Sequence, residues 1–128
     1  NLSSSFPAGL RVLLVDDDER NIFALSAYLK AKKIKVHVAN DGRECLEKLS
    51  QIRVNVVLLD MMMPVMDGFE TLKQLRADPE LCRNKVIALT ALAMKGDMEK
   101  CMEAGADDYC KKQVDIDQLL NKIEGILK

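Results

Sequence analysis

The sequence predicts an α/β domain: a doubly wound, five-stranded parallel sheet in the order 2-1-3-4-5 with five helices on its two faces. Three observations predict it. From residue 10 onward, short apolar runs alternate with longer segments of helical spacing. The first, third and fourth runs are almost wholly apolar, as strands buried on both faces must be. The second and fifth carry polar residues, Lys35 and His37 in one and Asp107 and Asp108 in the other, and read as sheet edges.

The first strand is expected over residues 12–15. Beyond Asp16-Asp17-Asp18, Ile22, Leu25 and Leu29 share one face of a first helix, with Asp18 as its cap. The second strand, 34–39, alternates Ile34, Val36 and Val38 against Lys35 and His37; the lone His37 on an exposed edge is no ligand candidate. Cys45, Leu46 and Leu49 mark the second helix, whose start pairs Asp41 with Glu44 in capping-box spacing. The third strand, 54–59, runs into Asp60. Asp67 and Glu70 open a third helix carrying Phe69, Leu72 and Leu75, which stops before Pro79. The fourth strand, 86–89, ends at Thr90. Met94, Met98, Cys101 and Met102 mark a fourth helix, closed by Gly105. The fifth strand, 106–110, leads to Lys111-Lys112. Asp115 and Gln118 then open a last helix with Ile116, Leu119, Leu120, Ile123 and Leu127.

Residues 1–9 are rich in Ser, Pro and Gly and read as a linker or tail, which suggests a piece of a longer protein. Residues 10–128 are expected to form one domain, leaving none for a separate DNA-binding domain. A net charge of -1 gives no basis for binding nucleic acid or an anionic membrane surface. No apolar run approaches a membrane span, and no signal peptide is visible. The four cysteines include no C-x-x-C pair, so zinc and thioredoxin-like chemistry lack their spacing; reduced thiols in a cytoplasmic setting are expected.

Ligands of such sheets bind beyond the carboxyl ends of the strands. There the sequence delivers Asp16 and Asp17, then Asp60, then Thr90, then Lys112. Converging carboxylates repel one another, and a hard divalent cation relieves that. Magnesium takes oxygen ligands and is typically held by one or two carboxylates plus a phosphate. Asp17 and Asp60 would ligate it, Asp16 would reach it through water, and the backbone carbonyl of Met62 would complete the protein's share. Lys112 and Thr90 would hold phosphoryl oxygens. Asp60 would be the nucleophile, becoming an aspartyl-phosphate.

Val15-Asp16-Asp17, the run from Leu59 and Asp60 through Met61-Met62-Met63-Pro64-Val65-Met66 to Asp67-Gly68, Thr90-Ala91, and Tyr109 ahead of Lys112 resemble response-regulator receiver domains of two-component signalling. The resemblance covers about Leu10 to the end and implies a flavodoxin-like fold. It also implies Asp60 as phospho-acceptor, Asp16 and Asp17 as the metal-binding acid pair, Thr90 and Tyr109 as a switch pair, and Lys112 as the family's lysine. The implied donor is a phosphohistidine on a histidine kinase or histidine phosphotransfer domain, and the implied listener is a downstream effector protein docking on the fourth helix, fifth strand and fifth helix. Arg20-Asn21-Ile22-Phe23-Ala24-Leu25 and Ala93-Met94-Lys95-Gly96-Asp97 look like receivers of hybrid histidine kinases. One departure is Gln113, where the family usually has a proline, often with a cis bond; a cis bond before a non-proline residue is costly. That bears on where Lys112 sits, with Lys111 as the fallback.

Blander roles stand beside these. Thr90 would also serve as a cap for the fourth helix, and Tyr109 as an ordinary edge aromatic. Met61, Met62, Met63 and Met66 suit packing and loop filling better than soft-metal binding. Three other function classes compete with this reading. A magnesium-dependent phosphatase of the haloacid-dehalogenase type needs an acid two residues after the nucleophile, where this chain has Met62. An unphosphorylated docking module would have no use for the acids. Flavin binding would need a Ser/Thr/Gly-rich loop after the first strand, which is missing. Met62 and Leu92 are expected to flank the phosphoryl site and limit the entry of water.

Overall fold

The computed structural model describes residues 9–63, 66–91, 95–112 and 114–127. Pro64, Val65, Leu92, Ala93, Met94, Gln113 and Lys128 lie outside them, as do residues 1–8 of the expected tail. The expectations resting on Leu92, Met94 and Gln113 therefore fall outside the described residues.

Strands and helices alternate through the chain: β1 Arg11–Val15, α1 Glu19–Ala31, β2 Lys35–Ala39, α2 Gly42–Leu49, β3 Val56–Asp60, α3 Gly68–Ala77, β4 Val86–Thr90, α4 Lys95–Ala104, β5 Asp108–Lys111 and α5 Ile116–Leu127. The sheet order is β2-β1-β3-β4-β5, and every pairing is parallel. The order reverses between β1 and β3, so a crevice opens where Asp16 and Asp60 leave their strands.

Successive strand residues face opposite sides of the sheet, and each side builds its own core. Leu13, Val15, Val57, Leu59, Val86 and Ala88 pack with α2, α3 and α4 residues such as Cys45, Leu72 and Cys101. Val12, Leu14, Val56, Leu58, Ile87 and Leu89 pack with Leu25 and Leu29 of α1 and Leu119, Leu120 and Ile123 of α5. Burying each of these Leu, Ile and Val side chains stabilises the fold by about 1.5–3 kcal/mol.

The expected caps form. Asp18 accepts from the Arg20 amide, Asp41 from Glu44 and Asp67 from Glu70, while Asp115 accepts from both Asp117 and Gln118. Gly105 closes α4 with φ +115°, a conformation that favours glycine.

Several boundaries move. β3 starts at Val56 rather than at 54 and keeps Asp60 as its last residue, because the Met61 amide still bonds the Leu89 carbonyl of β4. β5 starts at Asp108 rather than at 106, because the Asp107 carboxylate turns back to accept from the Val86 amide and Arg76. Met102 is exposed, not part of the buried face of α4: it lies one residue, about 100° of helix, beyond buried Cys101. His37 is half-buried rather than exposed. The four cysteines are free, and burial pushes the Cys45 thiol up to about 12.

A polar clamp fixes the opposite pole of the sheet. The Arg76 guanidinium donates to the carbonyls of Gly105, Cys82 and Asn84 and pairs with Asp107 at 3.0 Å. It ties the end of α3 to the loops that enter β4 and β5.

Candidate functional site: an acid cluster at the carboxyl ends of the strands

Register brings the site together. Val15 pairs with Leu59, so Asp16 and Asp60 are the next residues on adjacent strands. Asp60 in turn pairs with Leu89, one residue before Thr90, and Thr90 pairs with Lys111. Alternation then sorts the side chains. Asp16, Asp60 and Lys112 continue the rows that face α1 and α5, whereas Thr90 and Tyr109 continue the rows that face α2 to α4.

Carboxylate oxygens of Asp16, Asp17 and Asp60 lie within 4.8 Å of one another. Asp60 is wholly buried and Asp16 nearly so, while Asp17 is exposed. Asp60 is held from two sides: its Oδ1 accepts from the Met62 amide at 3.0 Å, and its Oδ2 accepts from Lys112 Nζ at 2.9 Å. The same ammonium lies 3.7 Å from Asp16 Oδ2. Asp16 Oδ1 accepts from the Asp18 amide.

These contacts leave residual strain of charge. Burial raises the Asp16 carboxyl above its ordinary value; the Asp18 amide draws it back, and the Asp60 charge pushes it up again. For Lys112, burial acts to lower the ammonium, yet the Asp60 hydrogen bond and the charges of Asp60, Asp16 and Asp17 outweigh it, so its value is raised. A single ammonium facing three carboxylates leaves a net negative, all-oxygen cluster. Its donors fit a hard divalent cation such as magnesium, with Asp16, Asp17 and Asp60 as the residues to hold it.

Thr90 is buried at the end of β4, and the Lys112 amide bonds its carbonyl at 2.6 Å. The cap role considered for Thr90 turns on residues 92–94, which lie outside those described. Tyr109 is half-buried, and Lys122 Nζ of α5 lies 5.0 Å from its ring centre while pairing with Asp108 at 3.3 Å. Lys111 is exposed, and it is Lys112 that reaches the acids. Met62 is exposed beside Asp60.

Sequence reasoning missed one neighbour, and one contact of a residue already placed in the receiver-like motif. Asn21 Nδ2 lies 3.5 Å from Asp16 Oδ2, and its position in the first turn of α1, directly above the acids, was the available signal. Gly68 lies against Met61, a contact between loop and helix that no local pattern announces. A cleft of about 340 Å³ leads away from the cluster between α1 and the loop after β5, lined by Asp16, Asn21, Ala24, Tyr28, Leu89 and Lys112.

A family model described as the response regulator receiver domain matches residues 12–124. The chain is 36% identical over 118 residues to response regulator PleD of Caulobacter vibrioides, a match covering 92% of this chain and 26% of that protein. The chain thus spans about a quarter of PleD. Vibrio cholerae chemotaxis protein CheY4 superposes with TM-score 0.86 at 30% identity, covering 94% of this chain and 100% of that one. The receiver domain of sensor histidine kinase PA1611 of Pseudomonas aeruginosa, crystallised with a magnesium ion coordinated in its active site cleft, gives 0.81 at 32% identity, covering 92% and 99%. The Saccharomyces cerevisiae co-crystal of histidine phosphotransfer protein Ypd1 with the receiver domain of Ssk1 contributes a match of 0.82 at 27% identity, covering 91% and 87%. The family model spans most of the chain, and the strand order and acid cluster agree with it: the chain belongs to the response regulator receiver domains of two-component signalling.

Proposed function

We propose that this receiver accepts a phosphoryl group from a phosphohistidine onto Asp60 with Mg2+ bound. The observation that carries the reading is the wholly buried Asp60 carboxylate, gathered with two further acids and with Lys112 Nζ at 2.9 Å. An Asp60 oxygen attacks phosphorus, a P–O bond forms, the P–N bond breaks, and the imidazole leaves with the electron pair. A bound magnesium would neutralise developing charge on phosphoryl oxygens. Asp16, Asp17, Asp60 and the Met62 carbonyl would hold it. Lys112 is released from Asp60 to a phosphoryl oxygen, and the Met62 amide stands at the same carboxylate.

The acyl phosphate adds charge beside Thr90 and Lys112. Thr90 moves toward it, and Tyr109 turns into the vacated space. The surface of α4, β5 and α5 changes, and a downstream effector reads it. Thr90 and Tyr109 line one cleft with Met98 of α4 and Gln118 of α5, which supports such coupling.

The donor is a histidine kinase or a histidine phosphotransfer domain. We read the parent as a hybrid histidine kinase and the compartment as cytoplasmic. Among the described residues no helix is long and apolar enough to cross a membrane. The phosphatase reading gains nothing from the site, because an exposed methionine stands where its general acid belongs.

Intact mass after incubation with acetyl phosphate, with and without Mg2+, tests the reading beside Asp60→Asn. A single magnesium-dependent phosphoryl adduct, absent from the variant, is expected. An unmodified wild type under every condition would leave the fold as an unphosphorylated docking module.

A further inference from the structure

We infer that Gly68 is a positioning residue for the Asp60 site, an inference that rests on the acceptor reading above. Two contacts grip one peptide unit from opposite sides. The carbonyl of Met61 accepts from the Gly68 amide at 3.3 Å. The amide of Met62, on the other end of that same peptide bond, donates to Asp60 Oδ1 at 3.0 Å. The first amide of α3 thereby fixes the plane of the peptide that presents an N–H to the acceptor carboxylate. It also sets the direction in which the next carbonyl, that of Met62, leaves the loop.

Only a residue without a side chain permits this approach. A Cβ at position 68 would stand 2.6 Å from Met61 Cα, 2.6 Å from Met61 Sδ and 2.8 Å from the Asp60 carbonyl oxygen. Two of those three atoms are backbone, so the collision cannot be relieved by turning a flexible side chain. Met61 itself is buried in the core beneath α3, so the loop cannot retreat inward. The start of α3 must back away instead. Its Asp67 cap, bonded to the Glu70 amide, would carry the whole first turn with it. Lifting that turn removes the Gly68 bond and frees the Met61–Met62 peptide to rotate, which withdraws the Met62 amide from Asp60.

Gly68→Ala is the direct test, read by calorimetric titration with Mg2+ and by the rate of modification with acetyl phosphate. Both should weaken about tenfold, the usual cost of disturbing a group that orients a ligand. The Met62 amide resonance should also shift. Gly105→Ala is the matched control. Its Cβ would collide with Arg76 Cγ at 2.9 Å, at the far pole and with φ +115°, so it is destabilised without touching the site. It should keep Mg2+ affinity and rate within about twofold of wild type. If Gly68→Ala does not fold, glycolic acid at position 68 removes the N–H without adding an atom, and the same weakening is expected.

A folded Gly68→Ala or ester variant with wild-type Mg2+ affinity and rate overturns the inference. So does a Gly105→Ala loss as large as that of Gly68→Ala, because general destabilisation then accounts for both. A wild type that neither binds Mg2+ nor is modified refutes the acceptor reading itself, whatever the variants do.

Discussion

Lys112 sets its ammonium 2.9 Å from Asp60 Oδ2 and, from the same position, 3.7 Å from Asp16 Oδ2, so one cation from beyond the edge strand stands between the acids of the two central strands. It occupies part of the electrostatic role that a divalent ion would fill. Lys112→Met should therefore bind Mg2+ more tightly than wild type, by about threefold or more, since a nearby positive charge is removed. The same variant should accept a phosphoryl group about 10²-fold more slowly, having lost a donor to the developing charge. Titration calorimetry and acetyl phosphate labelling read the two effects separately. Unchanged or weaker Mg2+ binding would contradict the first.

The raised value of Lys112 makes an alkaline prediction. Its stabilising contribution is fully present below the ordinary lysine value of 10.5 and is lost as pH rises through the higher folded-state value. The stability difference between wild type and Lys112→Met in urea should be flat from pH 7 to 10 and shrink above that. A difference that grows with alkalinity would have the wrong sign.

Asp16 shares the sign of that pH slope, but its charged form is the destabilising one. Burial lifts it above its ordinary 3.8, so the folded state retains a proton that the unfolded chain releases. Its effect is absent in acid below 3.8, and stability declines as pH rises through the folded-state value. Asp16→Asn should be more stable than wild type at pH 7 without metal. Wild type should gain about 2.7 kcal/mol in Mg2+ at a hundred times its dissociation constant, and the variant less at the same concentration. Thermal melts with and without Mg2+ decide it; a metal-free variant less stable than wild type at pH 7 would refute the charge argument.

Arg76 offers a prediction that leaves the site alone. Arg76→Ala strips partners from the carbonyls of Gly105, Cys82 and Asn84 and from Asp107. The expected loss is about 3 kcal/mol. The urea midpoint should fall, with Mg2+ affinity per folded molecule unchanged. A fall in that affinity would mean that the clamp reaches the acids.

Much of this was legible in the residues. The order of apolar and helical segments, the edge character of β2 and β5, and the acids closing β1 and β3 could all be read because strand periodicity and strand-end placement are local properties. The same period of two explains why Asp16, Asp60 and Lys112 share one side of the sheet and Thr90 and Tyr109 the other. What stayed hidden depends on contacts between distant segments. Arg76 looks like one more helix-end cation until the chain folds Gly105 and Asp107 against it. Asn21 looks like surface until α1 leans over Asp16. Lys122 of α5 meets the Tyr109 ring across a gap in sequence that no helix pattern spans. The first residue of β5 was misjudged because Asp107 serves a loop before the ladder begins.

The unequal footing of the strands bears on how long a signal would last. β3, which carries Asp60, is flanked by strands on both sides, whereas β5, which leads to Lys112, is held by β4 alone. Local opening costs least where a segment has fewest neighbours. A fluctuation that peels β5 and its following loop away would withdraw the lysine while the acids stay ordered on the central strands. Hydrogen exchange at Tyr109 and Cys110 should then run ahead of exchange at Leu58 and Leu59. A protein that binds α5 would slow that fraying and extend the dwell time of the modified state without contacting the reacting atoms at all.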